Sequence, residues 1–521
     1  MISKTKNNFD IILITAEYYD DHPMSPAGVI AKVLDASGFN IGIIEKPETK
    51  EDFTKLGSPK LCFCITSGSI DSMLNNYTPL KRKRSEDRYN SANVMPDRAV
   101  IVYCNKIKEY FKQIKIVIGG IEASLRRFAH YDYWDNDLRR SILLDSRADI
   151  LVYGNGEKQI IEIAKRMRNN ANDDLKEIPG TCILSKKIDP SFELLPSFDE
   201  VKNDKIKFCK MQSLFSNNKN LAQEYNNNFV LQYKFPEYTQ DDIDRIYSLN
   251  YSGNLNPDSL LKMAQFSVVT HRGCIGNCNF CSISLHQGDK IISRSEGSIL
   301  DEIKKITKHP EFKGYIDDLG GPSANMYGMD CDVKCSSDCM SCIKLDKSHK
   351  KLISLLKKAR KIAGVKKVFI RSGIRYDLAL SSKEYIKEIS EHHISGCLKI
   401  APEHFSKKVL KLMNKDNPGF DKFVSYFESL EVNKIKKQFL RYYLMICHPG
   451  DSENEILVLK NKIEKLKNIE QFQVFTPTPM TVSSCMYWTG LNPFTLEKVD
   501  VIYNYGDKKK LKRMMLKNIK H

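Results

Sequence analysis

The sequence predicts an α/β protein in which a doubly wound parallel sheet is followed by a partial (βα)6 barrel. Two observations carry that expectation. Short apolar runs ending at glycine alternate with helical patterns through the first 190 residues. A second series of apolar runs, most of them followed by amphipathic helices, starts at residue 266.

In the first series, FDIILIT leads through a loop to AGVIAKVLDASGFNIGII, where Gly38 is placed to stop a helix, so the order is strand, helix, strand. LCFCITSG, IKIVIGG and ADILVYG continue it as buried parallel strands that meet loops at their carboxyl ends. Residues 1–190 are therefore expected to form one open α/β domain. Residues 191–260 carry the Asn-rich stretches SNNKN and EYNNN without clean alternation, and read as a connecting region. The second series, QFSVVT, GYIDDLG, KKVFIRSG, CLKIAP, QFLRYYLMIC and QFQVFTP, supplies six barrel strands within residues 261–485. Between them, ILDEIKKITKH, EYIKEISEH, SKKVLKLMNK and NEILVLKNKIEKLKN place apolar residues three and four apart, the spacing that buries one helical face. A Cys-rich insertion occupies residues 329–345. Residues 486–521 form a C-terminal extension whose basic helix, DKKKLKRMMLKNIKH, reads as solvated.

The formal net charge of +17 comes from Lys and Arg in excess along the whole chain rather than from one basic arm, so RNA is a partner the composition permits without favouring it. No run reaches the roughly 20 apolar residues of a spanning helix, and MISKTKNNFDIILIT lacks a cleavage-site pattern, so the expected location is cytoplasmic, away from membranes. Fifteen cysteines in such a chain are not disulfides; clustered ones ask for a metal or a catalytic role. Eight are scattered and read as packing thiols. The other seven fall between residues 274 and 342.

Immediately after QFSVVT comes HRGCIGNCNFC, which sets Cys274, Cys278 and Cys281 in a C-x3-C-x2-C array on a Gly-rich loop at a strand's carboxyl end, where barrel enzymes build active sites. Three thiolates on one loop suit a 4Fe–4S cubane, one per iron, and leave the fourth iron without a protein ligand. A bidentate amino-carboxylate such as methionine can chelate that iron and bring a sulfonium within electron-transfer reach. A structural zinc usually takes four ligands in paired C-x2-C spacings, and no neighbouring residue makes a clean fourth.

This array, with Phe280 just before its last cysteine, resembles the radical S-adenosylmethionine (SAM) superfamily. DDHP at 20–23, IGGIEASLRRFAHYDYW at 118–134, DLGGPSANMYG at 318–328, SGIRYDL at 372–378, LKIAPEH at 398–404 and FTPTPM at 475–480 together resemble its uncharacterised YgiQ-type family. The resemblance implies a cobalamin-binding-like N-terminal domain, a radical SAM barrel and reductive cleavage of SAM to a 5′-deoxyadenosyl radical that modifies an unknown substrate. It implies a reductant such as flavodoxin or ferredoxin, and places Phe280 near the adenine. The superfamily's Gly-Gly-Glu motif matches as Gly320, Gly321 and Pro322, so only backbone carbonyl contacts to the SAM ammonium carry over. Ser372, Arg375, Lys399, Glu403 and His404, at strand ends, are then candidates for ribose, carboxylate and substrate contacts. The Asp-x-His-x-x-Gly pattern of cobalamin-dependent members is read as broken, with Asp21 and His22 adjacent, so no bound cobalamin is predicted.

MDCDVKCSSDCMSCIKLDKSH adds Cys331, Cys335, Cys339 and Cys342, a density that predicts a second 4Fe–4S cluster or a zinc. At the carboxyl edge of the N-terminal sheet, Asp20, Asp21, His22, Ser67, Gly119, Gly120, Glu122, Arg126 and Arg127 are candidate pocket residues, while SLRRFAHYDYW reads as an ion-paired interface ahead of a base-stacking surface. Two other functions compete. One is a basic RNA-binding protein stabilised by zinc, for which no RNA module is recognisable. The other is a radical SAM enzyme modifying tRNA, which lacks a small β-barrel appendage after residue 480.

Overall fold

The computed structural model of the chain describes residues 1–517 apart from 6–7, 85–93, 170–174, 332–337, 417, 432–433, 435–436 and 467. The described residues divide into two compact units. The first comprises Met1–Glu237, Leu249–Met263 and Pro477–Glu497, and the second Tyr238–Ser248, Ala264–Thr476 and Lys498–His521.

The first unit is built on a ten-stranded sheet. Along the sheet, Ile2–Ser3, Ile41–Glu45, Ile11–Thr15, Cys62–Thr66, Lys115–Ile118 and Ile150–Val152 run parallel. Ile11–Thr15 and Cys62–Thr66 are buried on every residue, which is why their sequences are continuous apolar runs rather than alternating ones. The helix Pro26–Ala36 starts as its sequence dictates, with the Ser25 side chain accepting from the Gly28 N–H and Pro26 in the first turn.

Beyond Ile150–Val152 the sheet turns antiparallel through Thr181–Ser185, Asn228–Gln232 and Leu221–Tyr225, with Glu193–Leu194 parallel at the edge. Within residues 191–260, expected as a connector, Glu193–Leu194, Leu221–Tyr225 and Asn228–Gln232 are thus strands of the sheet. The signal lay in EYNNN: Tyr225 pairs with Asn228 across a two-residue turn in which Asn226 takes φ 54°, a left-handed conformation that Asn tolerates. Pro477–Glu497 also joins this unit rather than the barrel. Trp488 stacks on Tyr131 at 5.0 Å, the Gln212 Nε2 donates to the Met480 carbonyl at 3.2 Å, and Cys209 and Cys485 bring their sulfurs to 4.0 Å.

In the second unit the six expected barrel strands are present. Ser267–Val269 pairs in parallel with Asp318–Gly320, Tyr315–Ile316 with Lys367–Val368, Cys397–Glu403 with Phe439–Ile446, and the last with Ile469–Val474. A parallel bridge between Ile374 and Ile400 links the third strand's end to the fourth strand. Val268, Leu319, Val368, Leu398, Ile400, Leu444 and Phe472 fill the interior, with Ile299, Ile303, Leu352, Leu356 and Ile389 packed on it from the helices. The basic helix Tyr505–Lys517 is not a free solvated helix: Met515 is fully buried, and Leu511 and Met514 pack against the same core. Among the described residues, no helix is long and apolar enough to cross a membrane.

Candidate functional site

The loop after the first barrel strand is held at several points. Gly273 takes φ 83°, and a Cβ there would fall 1.8 Å from the Lys290 carbonyl oxygen, so only glycine lets the chain turn into the loop. The Cys274 N–H donates to the Gly288 carbonyl at 3.1 Å, and the Cys281 N–H to that of Cys278 at 2.9 Å. Asn279 donates through its backbone to Met413 and through its side chain to Leu412, while Asn414 donates back to the Asn277 carbonyl. Cys274, Cys278 and Cys281 are all partly buried on this loop.

Burial pushes the Cys274 thiol up, and the Cys281 thiol to about 12, in both cases against the opposing pull of Lys415 and, for Cys274, of Arg375. A metal would bind these groups as thiolates, releasing their protons. Among the described residues, no three His, Cys, Asp or Glu side chains close around the space of one metal ion.

Around this loop the structure gathers most of the other candidates. Arg375, 9% exposed, directs Nη1 to the Cys278 sulfur at 3.7 Å and forks its Nε and Nη2 onto Asp377 at 3.1 and 2.7 Å. Gly276 makes that approach possible, since a Cβ there would meet Nη1 at 2.9 Å. Phe280 lies beneath the Lys415 ammonium, 5.8 Å from the ring centre, and edge-on to His448 at 6.2 Å. Lys415 also donates to Glu403 at 2.8 Å, tying the end of the fourth strand to this neighbourhood. Glu403 has φ 63°, strain of the kind that concentrates at functional sites.

Gly320 pairs with Val269, and its carbonyl accepts the Thr270 N–H at 2.8 Å. Gly321 backs onto the His271 ring. The Ser372 hydroxyl is engaged by Asp318, which also accepts the Ser372 and Arg371 N–H groups at 3.1 and 2.7 Å. Lys399 is not at a strand end but within Cys397–Glu403, half-buried, its carbonyl accepting from the Ile374 N–H at 3.2 Å.

Sequence reasoning missed several buried polar residues here. Asp451, wholly buried, lies 3.2 Å from the equally buried candidate His404 across the ends of the fourth and fifth strands. His448, also wholly buried, packs against Phe475 at 5.0 Å and is pushed down to about 3 by burial. His271 is neutral for the same reason, and its Nε2 has no hydrogen-bond partner among the described residues. HRGC and HPGD, each just past an apolar strand run, were the available signals.

Cys331 is exposed, whereas Cys339 and Cys342 pack, with Met340 and Cys274, against Ile275, Ile291, Met326, Met329, Leu345 and Leu378. The expectation for Cys335 lies outside the described residues.

In the first unit several candidate pocket residues prove internal. Arg126 is buried against Asp71; Arg127 is buried against Gln232, Asn217 and the Ser124 carbonyl. Glu122 accepts from the Ser72 and Val100 N–H groups. These side chains hold the unit together and present no face to a base or phosphate. Asp20 accepts from the Asn256 N–H and the Ser259 hydroxyl, and His22 Nδ1 from the Met24 N–H. Asp20 and His22 do keep the Asp-x-His spacing, with Ser25 where the pattern carries glycine.

Known proteins resemble the chain over its whole length. Residues 1–269 match the family described as radical SAM N-terminal, residues 268–463 the radical SAM superfamily, and residues 470–519 a domain of unknown function, DUF3362. A UPF0313 protein of Clostridium botulinum (strain 657 / Type Ba4) is 45% identical over 536 residues, covering 95% of this chain and 84% of the relative. One from Methanocella arvoryzae is 43% identical over 524 residues, covering 94% and 87%.

Among solved structures, the radical SAM methyltransferase TsrM of Kitasatospora setae, with cobalamin and a 4Fe–4S cluster bound, aligns with a TM-score of 0.53 at 12% identity, covering 92% of this chain and 79% of TsrM. The cobalamin-dependent SAM radical enzyme OxsB, with aqua-cobalamin and SAM bound, aligns with a TM-score of 0.53 at 10% identity, covering 99% and 62%. At such identities these likenesses establish the fold.

Proposed function

The chain belongs to the UPF0313 family of radical SAM enzymes, and from that premise we propose that Cys274, Cys278 and Cys281 hold a 4Fe–4S cluster whose open iron binds SAM. The observation that carries this reading is the loop itself. Three cysteines on the loop after the first barrel strand are held in place by that loop's hydrogen bonds to residues 288 and 412–414. When bound, such a cluster supplies one electron for cleavage of SAM to methionine and a 5′-deoxyadenosyl radical.

The protein's own residues bind, orient and shield. Gly320 and Gly321, which have no Cβ, allow backbone carbonyls to approach the SAM ammonium. Phe280 offers an aromatic face at the adenine. Glu403, neutralised by Lys415, and Lys399 are the candidates for ribose and substrate contacts. Ser372 is already engaged by Asp318, so its role is to position the third strand's end. The substrate and the electron donor, a flavodoxin or ferredoxin, meet this mouth.

Cys339 and Cys342, with Cys331 beside them in sequence, form a second metal site in this reading, an iron–sulfur cluster or a zinc. Its support is the density of cysteines at 331, 335, 339 and 342 in the sequence.

Anaerobic reconstitution tests the proposal. The wild-type protein is expected to turn brown, take up about four irons at this site and release 5′-deoxyadenosine from SAM under reductant. The Cys274→Ala/Cys278→Ala/Cys281→Ala variant is expected to lose those irons and the product. A colourless wild-type protein that binds zinc, with RNA affinity falling steeply as salt rises, would replace this reading with the RNA-binding one.

A further inference from the structure

Resting on that reading, we propose that Arg375, steered by Asp377 and Asn325, sets the reduction potential of the cluster from the protein side by directing its guanidinium at the Cys278 sulfur. Three sets of contacts fix the arginine. Its backbone N–H donates to Asn325 Oδ1 at 2.8 Å, and its carbonyl accepts from Asn325 Nδ2 at 2.9 Å, so one buried side chain clamps both sides of residue 375. The Asn325 Nδ2 also lies 3.3 Å from Nε2 of the buried His349, which stacks on Tyr385 at 4.5 Å. The fork onto Asp377 then uses Nε and Nη2, which leaves Nη1 to reach Cys278 at 3.7 Å over the bare backbone of Gly276.

Reduction adds one electron to a cluster that already carries three thiolates. A cation and an N–H donor aimed at one of those sulfurs favour the reduced form, because cluster charge and hydrogen bonds to sulfur set the potential. Arg375 is nearly buried, so water screens this attraction weakly. Asp377, 10% exposed at its side chain, opposes it. The pair therefore works in both directions: loss of the arginine leaves a buried carboxylate facing the cluster, and loss of the carboxylate leaves the guanidinium unneutralised. Lys415, the other cation acting on Cys274 and Cys281, spends its charge on Glu403. Arg375 is a positioning and tuning residue in this scheme.

The experiment is a spectroelectrochemical titration of the reconstituted full-length protein without SAM, with iron counted and the reduced cluster followed by electron paramagnetic resonance. Arg375→Gln is expected to keep its iron and move the midpoint negative, so that at one fixed potential the reduced-to-oxidised ratio falls about tenfold, equivalent to about 59 mV for one electron. Asp377→Asn is expected to move it positive. A purely structural role would move both variants in the same direction or neither. Intact clusters with unchanged or parallel midpoints overturn the proposal alone. If Arg375→Gln takes up no iron, Asp377→Asn decides: a midpoint that stays or falls overturns the proposal. A wild-type protein that assembles no cluster overturns the reading beneath it.

Discussion

The buried ring of His271 lies so close to Gly321 that a Cβ on residue 321 would come within 2.5 Å of it. The first and second barrel strands meet there, and neither can give way: the His271 Nδ1 is 2.9 Å from the Thr270 hydroxyl, and the Gly320 carbonyl is bonded to Thr270. Gly321→Ala is expected to cost about 1–3 kcal/mol through overpacking. It should weaken SAM binding at least tenfold by turning the 320–322 backbone. Equilibrium dialysis with labelled SAM, beside a thermal melt, checks both, and unaltered affinity would remove Gly321 from the site.

Replacing Cys339 and Cys342 with serine should remove metal beyond the irons held by the first cluster while leaving SAM cleavage measurable. Iron and zinc counts on the reconstituted double variant read this directly. Unchanged metal content would return these cysteines to apolar packing.

Glu403 and Lys415 are each about a tenth exposed at the side chain, so removing one strands the other in a poorly hydrated site. Lys415→Met is expected to destabilise the barrel unit by about 3 kcal/mol. Glu403→Gln should raise the KM for SAM more than it lowers kcat. Chemical denaturation and steady-state production of 5′-deoxyadenosine measure the two effects.

Acid sensitivity has a specific source in His130. Burial and the neighbouring Arg126 hold it down to about 4, whereas in the unfolded chain it titrates near 6.5. Above pH 6.5 neither state takes the proton. As pH falls from 6.5 towards 4, the unfolded chain binds a proton that the folded one refuses, so the stability this group allows is lost in that window. The stability gap between the wild-type protein and His130→Gln should narrow by about 1 kcal/mol per pH unit there. Urea unfolding of both at pH 7.5, 6 and 5 would show it, and a constant gap would contradict it.

The parallel strands and the cysteine loop were legible because each depends on a local pattern. IILIT and CFCIT are apolar up to a final threonine, as strands buried on both faces tend to be, and C-x3-C-x2-C is a spacing within one loop. What escaped depends on distant residues meeting. Nothing near Arg126 announces Asp71, nothing near Ser372 announces Asp318, and the helix around Trp488 gives no hint that its partner is Tyr131. The hairpin at Asn226 was written in the sequence, but as turn chemistry rather than as an apolar period.

Because Pro477–Glu497 completes a unit whose sheet lies within residues 2–232, that unit cannot be finished before the barrel between them has been synthesised. While the ribosome is translating the barrel, Tyr131 and the helix Lys205–Leu214 still wait for the stretch that covers them. That face of the unit therefore emerges uncovered and stays so until residues 477–497 have been made, a long window in which chaperone engagement competes with aggregation.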